Sequence, residues 1–230
     1  MRPTMRHLPQ KFSKPTGFSL VELMISIVVG LVVVGGVISI FSSTIKSHSD
    51  NLKMTRLNQE LRVAMDMMVR DIRRAGYRGD AAVALLTPSG QNPYTNSSNN
   101  LSIGTACIAF TYDANSNYSA AAPTVENGDI FGFRLQNSAI QSRYGGGGTG
   151  CNTGNWEAIT DGNTVNITTL NFAFTPNPPP QIPVTNVTGA VRVIRGVTIT
   201  LTGQLVGSNP VIARTLTETV RVQNDAFLFP

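Results

Sequence analysis

The spacing of apolar residues changes twice along this chain, and each change marks a new kind of structure. From Leu23 to Ile45 the apolar positions run almost unbroken, with neither a charge nor a proline among the 23 residues. As a helix that stretch spans roughly 34 Å, enough to cross the hydrocarbon core of a bilayer. From Lys46 to Gly76 the pattern becomes amphipathic. Leu57, Leu61, Met65, Met68, Ile72 and Ala75 recur every three or four residues, and Arg56, Asn58, Gln59, Glu60, Arg62, Asp66, Arg70 and Arg73 stand opposite them. No proline interrupts residues 18–76, so one helix of about 88 Å is predicted over residues 18–78, with its membrane portion ending near residue 45. The methionines in its second half read as core filler.

Beyond Gly79 the period falls to two. Residues 79–104 are rich in turn formers, including Pro88, Gly90, Pro93 and the run Asn96–Asn100. Strands are then expected at Thr105–Tyr112, Ile130–Leu135, Asn155–Thr160, Thr164–Thr175, Ala190–Leu205 and Ile212–Val222. The clearest alternation sets Val197, Ile199 and Leu201 against Thr198, Thr200 and Thr202. Pro176 to Pro183 reads as a proline-rich connection. The expected fold is therefore α+β: a long N-terminal helix, half apolar and half amphipathic, packed on a head of antiparallel sheet over residues 79–230.

The residues before the apolar run change the picture. Residues 1–17 carry Arg2, Arg6, Lys11 and Lys14 with three prolines, and read as a leader outside the fold. Four basic residues ahead of a membrane helix favour keeping that end in the cytoplasm, which places the head across the inner membrane, in a periplasm. Glu22 has no role in a cleaved secretory signal or in a plain anchor. An acid inside a membrane segment is costly and calls for a partner. The apolar run also exceeds the roughly 7–15 residues of a secretory signal core.

Charge and cysteines narrow the function further. The formal charge is +5, but without the leader the chain has 14 basic against 13 acidic residues, and from Gly79 onward six against eight. No nucleic-acid-binding surface is expected from that balance. Cys107 and Cys151 are the two cysteines, and in an exported chain they are expected to form a disulfide closing a loop of some 45 residues. They make a poor zinc site, because the two histidines, His7 and His48, lie far from the strand region. Without a histidine there, Ser-His-Asp and Cys-His catalysis are excluded from that region. No enzyme activity, metal or cofactor is expected. Asp113, Glu126 and Asp129 are read as solvated carboxylates. The run Gly145–Gly150 lacks the lysine and helix of a phosphate loop and is read as a flexible loop beside Cys151. Arg70, Arg73, Arg74 and Arg78 suit the negative end of the helix, with Gly76 or Gly79 as its cap.

Gly17-Phe18-Ser19-Leu20-Val21-Glu22, with the basic leader before it and the apolar run behind it, closely resembles the type IV prepilin signal. Three later stretches, LNQELRVAMDMMVRDIRRAGYRGD (57–80), GFRLQNSAI (132–140) and RTLTETVRVQNDAFL (214–228), resemble the PilW family of minor pilins, relatives of the pseudopilin J of type II secretion. The resemblance implies cleavage by prepilin peptidase between Gly17 and Phe18 and methylation of the new amine of Phe18. It also implies a wait in the inner membrane, then entry into a pilus at or near its tip. The implied partners are other minor pilins, the major pilin and a tip adhesin. Glu22 would then meet the Phe18 amine of a neighbouring subunit and set helix register. A type II secretion role and a DNA-uptake role are the alternatives.

Overall fold

The computed structural model describes residues 17–79, 92–96, 101–115, 124–185, 188–208 and 211–228. Residues 1–16, most of the stretch read as a leader, and the turn-rich stretches 80–91 and 97–100 lie outside the described residues. The chain divides into two compact units between Asn51 and Leu52.

Helix α1 runs through Leu20–Arg74. Phe18 and Ser19 precede it in non-helical conformation, and the Ser19 carbonyl accepts its first hydrogen bond, from Leu23 N–H at 3.1 Å. Arg74 ends the helix earlier than the sequence pattern suggests, because Gly76 turns into the left-handed region at φ +76°. A β-carbon there would meet the Thr95 methyl at 2.6 Å, so glycine is required on steric grounds as well. The last carbonyls of α1 are capped from the far end of the chain. Gln223 N–H donates to Arg73 O at 3.0 Å, and Asn224 Nδ2 donates to Arg74 O and Ala75 O at 3.3 and 3.2 Å.

In the second unit the stripe expected on α1 is the stripe that is buried: Leu57, Leu61, Met65, Met68, Ile72 and Ala75 are each at most 2 % exposed. Against it pack two sheets. The first is an antiparallel meander of β1 (Ser102–Gly104), β2 (Cys107–Thr111), β3 (Ile130–Gln136), β4 (Ala139–Arg143) and β5 (Trp156–Ala158), in that order. The second has β9 (Gly196–Leu205) at its centre, with β6 (Val165–Phe174) on one side and β10 (Ala213–Arg221) on the other. A third, small sheet of β7 (Gln181–Pro183), β8 (Val191–Val193) and β11 (Ala226–Leu228) branches off between β6 and β9. One core joins α1 to Ile108, Phe110, Phe133 and Ile140 of the first sheet and to Ile167, Phe172, Ile199 and Leu201 of the second.

Several elements depart from the sequence reading. Strand β6 carries a bulge between Ile167 and Thr169, which shifts its parity by one. Val165 and Ile167 before the bulge, and Leu170 and Phe172 after it, are thereby all buried on one side. Strands β1, β4 and β11 lie where none is expected, and the single strand expected over Ala190–Leu205 is two, β8 and β9, in different sheets. Strand β7 lies inside the connection read as simply proline-rich. The stretch expected as one strand over Thr105–Tyr112 is β2 alone, with Ala106 in the left-handed region at φ 52° in the turn from β1.

Candidate functional site

Two places in the molecule carry distinctive chemistry, and they lie in different units. The first is the start of α1. Phe18 is 84 % exposed, and Glu22 sits in the first helical turn, where the positive end of the helix dipole favours an acid. Ser26 Oγ donates to the Glu22 carbonyl at 2.7 Å, which satisfies its hydroxyl within the helix. Every large apolar side chain from Leu20 to Ile45 is more than half exposed, and α1 is long and apolar enough to cross a membrane. Gly17, Phe18 and Glu22 thus stand together at the head of an uncovered apolar surface.

The second place is the outer side of the first sheet. There Cys107 and Cys151 form a disulfide, with their α-carbons 6.1 Å apart, that ties β2 to the glycine-rich loop. That loop is not the flexible segment expected from its composition. Arg143, only 2 % exposed, projects into it and donates to five carbonyls. Its Nε donates to Gly145 O at 3.2 Å, and Nη1 to Gly150 O at 3.1 Å. Its Nη2 reaches the carbonyls of Gly146 at 2.9 Å, Gly147 at 3.3 Å and Gly148. A planar fork with five N–H donors suits such a ring of oxygens. Gly154 must be glycine to admit it, since a β-carbon would come within 2.5 Å of the guanidinium carbon. Trp156 lies over Gly132, and Arg134 stacks on its ring with the guanidinium carbon 4.4 Å from the centroid. Arg134 also donates to Gln141 Oε1 at 2.8 Å and to Cys151 O at 3.3 Å.

Of the three carboxylates read as solvated, Glu126 is exposed, but Asp113 and Asp129 require a correction. Asp113 and Asp129 are each 1 % exposed. Asp129 accepts from Tyr94 Oη at 3.1 Å, Ala114 N–H at 3.2 Å and Glu126 N–H at 3.2 Å; Asp113 accepts from Gly79 N–H at 3.0 Å. Their role is to hold loops onto the end of the first sheet. Of the arginines expected at the end of α1, Arg73 and Arg74 are exposed there, while Arg78 is buried at 7 %. Arg74 lies over Tyr112, 4.4 Å from the ring centroid. Burial, then the Asp71 charge, pushes Tyr112 up to about 12. Burial also raises Asp71, against the pull of Arg70 and Arg74. Arg195, which donates to Asn224 O at 2.6 Å, is brought down by burial to about 10. Sequence reasoning missed Arg143, Arg195 and the buried acids. An arginine two residues ahead of a run of glycine carbonyls was the one available hint. Among the described residues, no group of three or more His, Cys, Asp or Glu could hold a metal ion.

An apolar helix with an exposed aromatic and an acid at its start, leading into a head of antiparallel sheets, defines a membrane-anchored protein of pilin-like layout. The comparisons agree with that class. The prokaryotic N-terminal methylation motif matches residues 13–38, and the profile described as prepilin peptidase-dependent protein B matches residues 50–222. The chain belongs to the prepilin peptidase-dependent protein B family. It is similar to the prepilin peptidase-dependent protein B of Escherichia coli (strain K12), 24 % identical over 158 residues, which covers 68 % of this chain and 76 % of that protein. No solved structure matches the chain.

Proposed function

We propose that this protein is a minor pilin that helps to prime and cap a type IV pilus, in the manner of the PilW family. In this reading prepilin peptidase cuts between Gly17 and Phe18, and the new amine of Phe18 is methylated. The subunit, with residues 1–17 removed, rests in the inner membrane through residues 18–45 with its head in the periplasm. It then enters the pilus beside other minor pilins and the major pilin, with a tip adhesin as a further partner, in support of adhesion and twitching motility. The observation that carries the reading is the placement of Glu22 a few residues after Gly17-Phe18, in the first turn of a helix whose apolar side chains from Leu20 to Ile45 are uncovered. A carboxylate entering lipid is tolerable when a cation meets it, and the Phe18 amine of an adjacent subunit supplies one at the same depth.

The test is the mass of the N-terminal peptide of the protein isolated from its cell. A methylated Phe18 is expected; a chain still beginning at Met1, or one trimmed beyond the apolar helix, refutes the reading. Glu22→Ala is expected to leave cleavage largely intact and to weaken assembly. Normal piliation with that variant as sole copy would remove the pairing role. The second reading is a pseudopilin J-like subunit of type II secretion, which shares the long helix and β-rich head. Loss of secreted enzymes on deletion, with pili retained, would favour it. A DNA-uptake role is disfavoured by the acidic balance of the head.

A further inference from the structure

Strand β10 ends the second sheet, and among the described residues nothing pairs with its outer edge. The pattern of its inner pairing shows what that edge offers. Leu205 N–H donates to Ile212 O and Val222 N–H to Arg195 O, so the even-numbered residues turn their backbone groups toward β9. Thr215, Thr217 and Thr219 therefore direct both N–H and C=O to the open side. Beside this edge runs a groove of about 240 Å³ lined by Arg62, Met65 and Asp66 of α1 and by Leu216, Thr217 and Glu218 of β10. Its floor is apolar, since Met65 is buried and Leu216 half-buried. Further along the same seam, Arg73, Arg221 and Gln223 line an opening of about 450 Å³. The side chains along the seam are unevenly charged. Arg62, Arg73 and Arg221 line the two openings against Asp66 and Glu218, Arg214 is exposed on β10 itself, and Asp225 lies 3.6 Å from Arg192 and 4.0 Å from Arg221.

A nine-residue edge without proline or bulge is a template for strand addition, which proteins usually blunt unless it is used. We propose that this edge docks an extended, acid-bearing segment of another prepilin-class subunit, with an apolar side chain over Leu216 and an acid near Arg214. The proposal rests on the assembly reading given above. A second copy of this chain is not the occupant. Arg62 and Asp66 lie beside Leu216–Glu218 and Arg73 beside Arg221, so α1 and β10 run in the same direction. Pairing two β10 strands would bring the arginine-bearing rim of Arg62, Arg73 and Arg221 against its own copy, a like-charge juxtaposition.

The test uses the full chain in its own cell, with a photocrosslinking benzoylphenylalanine in place of Thr215. The expected result is an adduct with a different prepilin-class subunit, mapped by mass spectrometry to an acidic segment. Thr217→Pro removes an N–H that β9 does not use, and is expected to cut the adduct about tenfold; Thr217→Ala, which keeps that N–H, leaves it unchanged. Arg62→Glu with Arg73→Glu, on the exposed face of α1, is expected to weaken the adduct comparably. An adduct insensitive to Thr217→Pro and to the charge reversal, an adduct made solely with a second copy of this chain, or no adduct overturns the proposal. Cleavage at Gly17 is followed in the same samples, so a failed docking site is distinguishable from a failed assembly reading.

Discussion

Replacing Arg143 with alanine tests whether one side chain organises the outer loop. Arg143 is almost fully buried and its guanidinium donates to the carbonyls of Gly145, Gly146, Gly147, Gly148 and Gly150. Each hydrogen bond from a charged donor contributes about 1.5–3 kcal/mol net, but the five share three nitrogens and water partly replaces them. We therefore set the loss at about 3–5 kcal/mol, the cost of two or three buried carbonyls left without a donor. For a chain of this size that corresponds to a fall in melting temperature of roughly 6–20 °C. The assay is unfolding of the full chain in detergent by heat and by urea, followed through the fluorescence of Trp156, the sole tryptophan. Hydrogen exchange adds local detail, because Tyr144 N–H donates to Asn155 O and Asn155 N–H to Gly145 O at 3.0 and 3.1 Å across the loop. Both amides should lose protection in Arg143→Ala, while β9 keeps its own. Arg143→Lys should recover only part of the loss, since a single ammonium cannot span five separated oxygens. A midpoint within about 1 kcal/mol of the parent, with both amides still protected, would refute the argument.

Two further predictions follow from the same head. Removing the disulfide by Cys107→Ser with Cys151→Ser opens a loop of sequence separation 44 and should cost about 4 kcal/mol, read as a reductant-sensitive melt in the parent alone. Combined with Arg143→Ala the loss should be less than additive, because both fix the same loop. Tyr112 titrates at about 12 in the folded chain, above the ordinary tyrosine value, so its contribution is complete below pH 10 and is lost between about pH 10 and 12. Asp71→Asn should lower that upper limit, visible as earlier tyrosinate absorbance; an unchanged titration would rule out the Asp71 contribution.

The parts of the fold set by periodicity were legible in the sequence. Leu57 through Ala75 gave the buried stripe of α1, and the threonine alternation of β9 gave its two faces, because both follow from local geometry alone. The bulge in β6 was hidden, since Val165, Ile167, Leu170 and Phe172 keep one face only if Thr168 drops out of register. Strands β4, β7 and β11 lack alternation, being short or interrupted by polar residues and proline. The burial of Asp129 was illegible because its donor, Tyr94, stands 35 residues away, and the placing of such a group is decided by tertiary contacts. At the N terminus the reverse held. Gly17, Phe18 and Glu22 fall within the matched N-terminal methylation motif, a pattern of neighbouring residues that is legible as sequence without any tertiary contact.

The ring of oxygens around Arg143 has a consequence for where such a head can work. A ring of carbonyl oxygens is also the kind of donor set that calcium takes, and the form of a loop shaped by such an ion varies with the medium. Here the cation is a side chain, supplied by the ribosome with the rest of the polypeptide. The contour of that face should therefore stay the same in soft water, in brine and in the presence of chelators.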